Sequence, residues 1–448
     1  MEAAVPDTVP SSTPLVIRGG RVLFPDGTTR ITDVVIRDGR IAGIGEDATV
    51  IGDEEIIDAH DQLVMPGLVD THRHMWLGSL AASSSDVTLF SYAQQINEGH
   101  GGPFTSEDVY AGVLWGAVQA ISAGVTTVAD WAHNLGSEAD IDANLRALHD
   151  SGIRARLYFG GKAGSSGDQS RYEAQARHLH ATHAPYRVHG RIALGLAVRG
   201  PAMATPAEND FDFGLARDLG LPISLHAGMA GLPGAVDQLG SQDLLGPDVN
   251  YVHANEFTER EWKQVAESGG TVSATPSVDM TMGLGIHPAV GAALDHGVTV
   301  GLGADTVAYG PSDLFTEMRL ALAAERSRTN ARLIDQGQMP GELRHSHLAM
   351  LDLATRGGAQ VLGFADRIGE ITVGRQADLI MLDLSAPHLD SFDNPVLAAF
   401  LSAGPRDVDT VIVGGRILKR RGTLTDGLLQ KARLEVRRSR SRIRGRSL

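Results

Sequence analysis

LVMPGLVDTHRH, residues 63–74, leads an almost unbroken apolar run into an HxH pair. A short apolar run of this kind reads as a strand buried on both faces, the habit of parallel sheets. His72 and His74, spaced i and i+2 on an extended segment, put their side chains on one face. Seven similar runs follow: 124–130, 153–160, 191–198, 222–227, 249–254, 270–276 and 298–305. Stretches of helical period lie between them, such as SEDVYAGVLWGAVQAISAG (106–124) and PAENDFDFGLARDLG (206–220), with two more helices near 313–333 and 347–363. Eight strands, each followed by a helix, predict a (β/α)8 barrel over residues 66–365.

The flanks read differently. PLVIRGGRVLFP and ITDVVIRDGRIAGIG alternate β-branched with polar residues, and Asp26-Gly27 and Asp38-Gly39 suit tight hairpin turns. IGEITVGRQADLIMLDL (368–384) and VDTVIVGGRILKR (408–420) return to alternation after the barrel. Residues 1–65 and 366–425 are therefore predicted to form one composite β-sandwich, and 426–448 a basic C-terminal helix or tail.

Composition removes several chemistries. With 448 residues and 42% hydrophobic side chains the chain can bury a large core. The absence of cysteine excludes disulfides, iron–sulfur clusters, thiolate zinc sites and a cysteine nucleophile, so any metal must be held by nitrogen and oxygen. A net charge of −15 opposes nucleic-acid binding. That charge is uneven: residues 431–448 hold eight Lys or Arg against one Glu, a local +7 that leaves the rest at −22. Such an end reads either as a tail for an anionic partner or as a solvated helix that frays. No run approaches the ~20 apolar residues of a membrane span. MEAAVPDTVPSSTP lacks the pattern of a signal peptide, so a cytoplasmic location is expected.

Of 17 histidines, four fall at or just beyond strand ends: His72 and His74 on the first, His226 on the fifth and His253 on the sixth. Asp305 ends the eighth. Barrel active sites are built at these ends, and imidazoles with a carboxylate suit Zn2+, Fe2+ or Mn2+.

These residues, with PGLVDTHRH (66–74), GVTTVAD, GLGAD (301–305), LFTEMRLAL (314–322) and GEITVGRQADLIMLD (369–383), give a chain that resembles the amidohydrolase superfamily, in its cytosine-deaminase-like and triazine-hydrolase-like branch. The resemblance implies a metal-dependent barrel hydrolase, working as a homodimer or higher homo-oligomer on a small-molecule substrate. It further implies that His72, His74, His226 and Asp305 bind the metal, and that His253 polarises substrate or assists proton transfer. Binuclear members use a Lys at the end of strand four. RIALGLAVRG has none, and Lys162 follows strand three, so one divalent ion is expected, zinc ahead of iron or manganese.

Deaminases of this branch place a Glu three residues after the strand-five His, whereas here Met229 stands there, and methionine cannot move a proton. Two replacements are available. Asp305 would serve as both ligand and base; alternatively Asp279, just past strand seven, would supply the acid/base, its other reading being an ordinary loop carboxylate. Arg199 after strand four offers a donor fork to a substrate, or forms a rim ion pair. Trp76, Trp131 and His133 wall the pocket or pack beside it, Met229 lines it, and His287 is a further substrate contact. The expected function is hydrolysis of a non-peptide C–N bond in a small nitrogenous, heterocyclic substrate, by deamination or by amide or amidine cleavage. The alternatives are decarboxylation or biosynthetic cyclisation on the same metal site, and a catalytically silent binding protein.

Overall fold

The computed structural model describes residues 13–49, 51–162, 168–311 and 313–446; most of the N-terminal stretch weighed as a leader lies outside them. The eight apolar runs form eight parallel strands in chain order, from Leu68–Arg73 through Val125–Leu135, Arg154–Gly161, Ile192–Ala197, Ile223–Ala227, Val249–His253 and Thr271–Ala274 to Thr299–Leu302. The ring closes where Asp305 donates its backbone N–H to the His72 carbonyl (2.8 Å) and His74 donates to the Asp305 carbonyl (2.9 Å). The chain is therefore a (β/α)8 barrel, with strand C-termini gathered at one mouth. Several barrel helices start where sequence chemistry says they should. Thr205 with Glu208 and Thr258 with Glu261 each form a reciprocal cap that satisfies the first free N–H groups, and the Asp108 carboxylate accepts the Thr105 N–H at the start of a third helix.

The two chain ends meet in one mixed sheet of nine strands, in which Leu379–Asp383 from the C-terminal part pairs antiparallel with Gln62–Pro66 from the N-terminal part. Its hydrogen bonding is continuous. The sheet has its own buried apolar cluster, which includes Ile17, Val34, Ile36, Val64, Met381 and Ile412. Asp378, in the GRQADLI motif, joins the two bodies: it accepts two hydrogen bonds from Arg154 on the third barrel strand (2.7 and 2.9 Å), and both side chains are buried. A buried charge pair persists where its remaining polar atoms are satisfied, and here the Gly414 N–H adds a further bond to the Asp378 carboxylate.

The basic C-terminus is a helix, as expected, but it is docked along one side rather than frayed. Residues Leu428–Arg446 form one helix that packs on the barrel helix Ser106–Ser122. Ala432, Val436, Ser439 and Ile443 are buried at helical spacing, while Arg433, Arg437, Arg438 and Arg444 face out. The segment is a docked amphipathic helix because a narrow stripe of small and apolar residues runs through its arginines. Among the described residues no helix is long and apolar enough to cross a membrane.

Candidate metal centre and active site

His72, His74 and His226 each offer a ring nitrogen within 4.8 Å of the others. The first strand places two of them by its alternation, and the fifth places His226 beside them, with the His72 and His226 ring centres 5.1 Å apart. Asp305 Oδ1 lies 3.6 Å from His72 Nε2 and 3.4 Å from His74 Nε2. Its backbone is left-handed (φ +55°), a conformation a non-glycine residue holds only when its surroundings impose it. Here the imposing contacts are the two hydrogen bonds to His72 and His74 that close the barrel.

The electrostatics suit a cation. Burial, then the neighbouring imidazoles, hold His74 and His226 well below the usual histidine range, so both are neutral, as ligands must be. Burial works against charge on Asp305, but the His72 imidazole beside it, with His74 and His253 adding, keeps it ionised far below the ordinary carboxylate range. His72 is fully buried, and neither of its ring nitrogens has a hydrogen-bond partner. A buried imidazole with two unsatisfied nitrogens is costly unless something binds it, and this donor set fits a divalent ion. His74 Nδ1 donates to the Trp131 carbonyl at 2.8 Å, which turns Nε2 towards Asp305 and leaves it available as a ligand atom.

His253 stands beside this cluster, its ring stacked 5.4 Å from that of His226. Its backbone is also left-handed (φ +76°). Asp279, the second candidate for the acid/base, has its carboxylate on His253. It sits in the short helix Pro276–Thr281, buried, with Oδ1 2.9 Å from His253 Nδ1. Thr275 donates its N–H and its hydroxyl to the same carboxylate, each at 3.1 Å. The Asp279 carboxylate is thus shared between His253 and Thr275. Burial alone disfavours a charged His253, but the hydrogen bond and charge of Asp279, and then Asp305, outweigh it and make the imidazole more basic than usual.

The proposed substrate contacts divide. His133 reaches the site, with its ring 4.6 Å from His74; burial pushes it down to about 4, so it is neutral. Trp131, on the same strand face, packs 4.2 Å from His226 and fixes its indole N–H on Ser224 at 3.1 Å. Trp76 is only 1% exposed, against Phe104 and His133, so it backs the site and offers no open face. Arg199 takes the ion-pair reading: Asp212 grips it at 3.0 and 2.9 Å and Glu208 at 2.7 Å. His287 is exposed on the loop after strand seven. Lys162 donates to the Gly102 carbonyl at 2.6 Å and is outside the histidine cluster.

The amidohydrolase family model matches residues 63–418, four-fifths of the chain. The chain belongs to the amidohydrolase family. It is 31% identical to the 5-methylthioadenosine/S-adenosylhomocysteine deaminase of Nitratidesulfovibrio vulgaris over 93% of this chain and 94% of that one. To the enzyme of the same description from Haloarcula marismortui it is 30% identical over 92% and 94%. Among solved structures, an adenosine deaminase from Xanthomonas campestris with bound zinc superposes with a TM-score of 0.83 at 25% identity, covering 97% and 99% of the two chains. A zinc-bound atrazine chlorohydrolase from Arthrobacter aurescens shares the fold, with a TM-score of 0.81 at 23% identity over 95% of this chain and 100% of that one.

This amidohydrolase is therefore an enzyme, a hydrolase acting on carbon–nitrogen bonds other than peptide bonds. Its distinctive position is 229. Met229 is buried, 7% exposed, in a loop whose Ala230 N–H is bonded to the Leu284 carbonyl of the strand-seven loop at 2.8 Å. Two residues that escape a reading by motif alone are Thr275, which fixes Asp279, and Glu317 in LFTEM. Glu317 accepts from Ser277 N at 2.9 Å and from the Ser277 hydroxyl, and so clamps the start of the helix that bears Asp279.

Proposed function

We propose that this enzyme hydrolyses a C–N bond at an amidine-like or amide carbon of a small nitrogenous heterocycle, with His253 and Asp279 doing the proton work that a carboxylate at position 229 does elsewhere. One divalent ion, zinc by preference, would be held by His72, His74, His226 and Asp305. When bound it supplies a water whose pKa is lowered towards neutrality. The observation that carries the reading is the His253–Asp279 pair at 2.9 Å, buried beside the ligand cluster, in a site where residue 229 has no titratable group.

The residues divide the task. Asp305 turns Oδ1 towards His72 and His74 and stays ionised, so its second oxygen is the acceptor for a proton leaving the nucleophile. Asp279 takes the Nδ1 proton of His253 as a hydrogen bond, which leaves Nε2 to accept or return a proton at the substrate. The neutral His133 and the Trp131 indole border the cluster on the strand-two side and favour a flat ring over an extended chain. Met229 adds apolar surface where a leaving amine would depart.

The deciding experiment incubates zinc-loaded enzyme with aminopurine nucleosides, including 5-methylthioadenosine, with amino-triazines and with cyclic amides. Ammonia release and ring absorbance are followed together. Ammonia with a retained ring chromophore identifies deamination, whereas loss of the chromophore without ammonia identifies ring hydrolysis. No turnover of any C–N substrate by a protein carrying one zinc would overturn the proposal. The homo-oligomeric state implied by the resemblance is part of the same reading, and light scattering of the purified protein checks it.

A further inference from the structure

The helix Leu428–Arg446 reaches the metal centre through one short segment. Directly after His74 the chain forms a tight helical turn, Met75–Leu80, in which all six residues are buried. This turn has no room to move towards the helix Ser106–Ser122. A Cβ on Gly78 would stand 2.3 Å from the Gly112 carbonyl oxygen, and one on Gly112 would stand 2.1 Å from that of Trp76. The opposite side is held by the C-terminal helix. Arg440 donates Nε to the Ser79 carbonyl at 2.9 Å and Nη2 to the Gly78 carbonyl at 3.3 Å, at the end of the turn, where the Gly78 carbonyl otherwise receives only a long bond from Ala81 N–H (3.4 Å). Two residues on, Arg442 donates twice to Asp108 Oδ1, at 3.0 and 2.7 Å, and so ties the same helix to the first turn of Ser106–Ser122. The start of the turn is pinned as well, because Met75 N–H donates to the buried Asp130 at 3.3 Å.

We propose that the C-terminal helix is a clamp on the metal centre, with Arg440 as the positioning residue that holds the Met75–Leu80 turn and, through it, the orientation of His74. Two of the segment's arginines, Arg440 and Arg442, are thereby spent on internal carbonyls and an internal carboxylate. The inference rests on His74 being a metal ligand. Two bonds to two carbonyls need the planar fork of arginine, so lysine at 440 replaces the clamp only in part. Coupling of this kind is reciprocal: if helix docking favours metal binding, metal binding favours docking.

The test measures zinc affinity of the full-length protein by competition with a chromophoric chelator. Arg440→Ala is expected to weaken zinc binding by about fivefold or more, the lower end of the coupling between linked sites. Arg440→Lys should fall between it and the wild type. Arg438→Ala, on the exposed side of the same helix, should stay within about twofold. In the wild-type protein, amide hydrogen exchange should show residues 75–80 and 438–443 gaining protection together when zinc is added. An Arg440→Ala affinity equal to wild type overturns the clamp, as does zinc-induced protection of 75–80 with no change at 438–443. If Arg440→Ala does not fold, Arg440→Lys and the wild-type exchange data decide. Zinc binding that is unaffected by His72→Ala would instead refute the ligand assignment, so the two failures are distinct.

Discussion

Replacing Asp279 with Asn tests the centre of the proposed chemistry with little change of shape. The carboxylate receives His253 Nδ1 at 2.9 Å, and the Thr275 N–H and hydroxyl at 3.1 Å each. An asparagine keeps the Thr275 N–H satisfied only by turning its oxygen that way, and its NH2 group then faces His253. That reverses the imidazole: Nδ1 becomes the acceptor and Nε2 carries the proton, so the nitrogen left for the substrate can no longer act as a base. A hydrogen bond to a charged group contributes ~1.5–3 kcal/mol. If that contribution is expressed in the transition state, kcat/KM falls by about 10- to 150-fold. The ionisation of His253 in the pH profile should also move down, since the hydrogen bond and charge of Asp279 raise it against the opposing effect of burial. The assay is kcat/KM against pH on the best substrate of the panel, with zinc content and circular dichroism as controls. Selective 15N-histidine spectra read the tautomer without any substrate. A variant with full zinc, native spectra and kcat/KM within about twofold of wild type would refute the dyad.

Other outcomes follow from neighbouring residues. His72→Ala removes an imidazole with two unpartnered buried nitrogens, and zinc measured after dialysis should drop from near one equivalent to background, with activity. Met229→Glu should raise ammonia release from aminopurine substrates by about tenfold or more, the scale of general acid–base assistance, and should lower the unfolding midpoint, because the new carboxyl enters a buried position. A folded, zinc-bound Glu variant with no gain would mean that position 229 does not face the reacting carbon. Glu317 is pushed up to about 8 by burial, so the folded state holds a proton that the unfolded chain releases near the ordinary carboxylate value. Its favourable contribution is fully present below that unfolded value and is lost as pH rises through about 8, at ~1.4 kcal/mol per pH unit. Urea melts between pH 5 and 8 should show this slope in the wild type and a flatter one in Glu317→Gln.

The barrel was legible because its evidence is local. Each strand is a short apolar run, each helix has its own period and cap, and eight such pairs in order admit few other arrangements. The strand-end rule then singled out His72, His74, His226, His253 and Asp305 before any contact was known. The substrate contacts were less legible, because chain position does not tell which partner a side chain finds. Arg199 follows a strand end as His226 ends one, yet Asp212 and Glu208 on the next helix claim its guanidinium. Trp76 stands two residues from His74 and is still sealed behind Phe104 and His133. The terminal arginines looked solvated because charge dominates their composition; only the spacing of Ala432, Val436, Ser439 and Ile443 hinted at docking.

By itself the sequence determined the architecture, the imidazoles and carboxylate at the strand ends and the absence of a titratable side chain at position 229, since these depend on residue type, period and order. Tertiary structure alone decided that Asp279 belongs to His253, that Glu317 steadies the helix beneath it, and that Arg440 reaches back to the turn behind His74. Those pairings join residues 26, 40 and 361 positions apart. They exist because barrel closure and helix docking bring distant segments within ~3 Å, the distance at which a hydrogen bond has any energy.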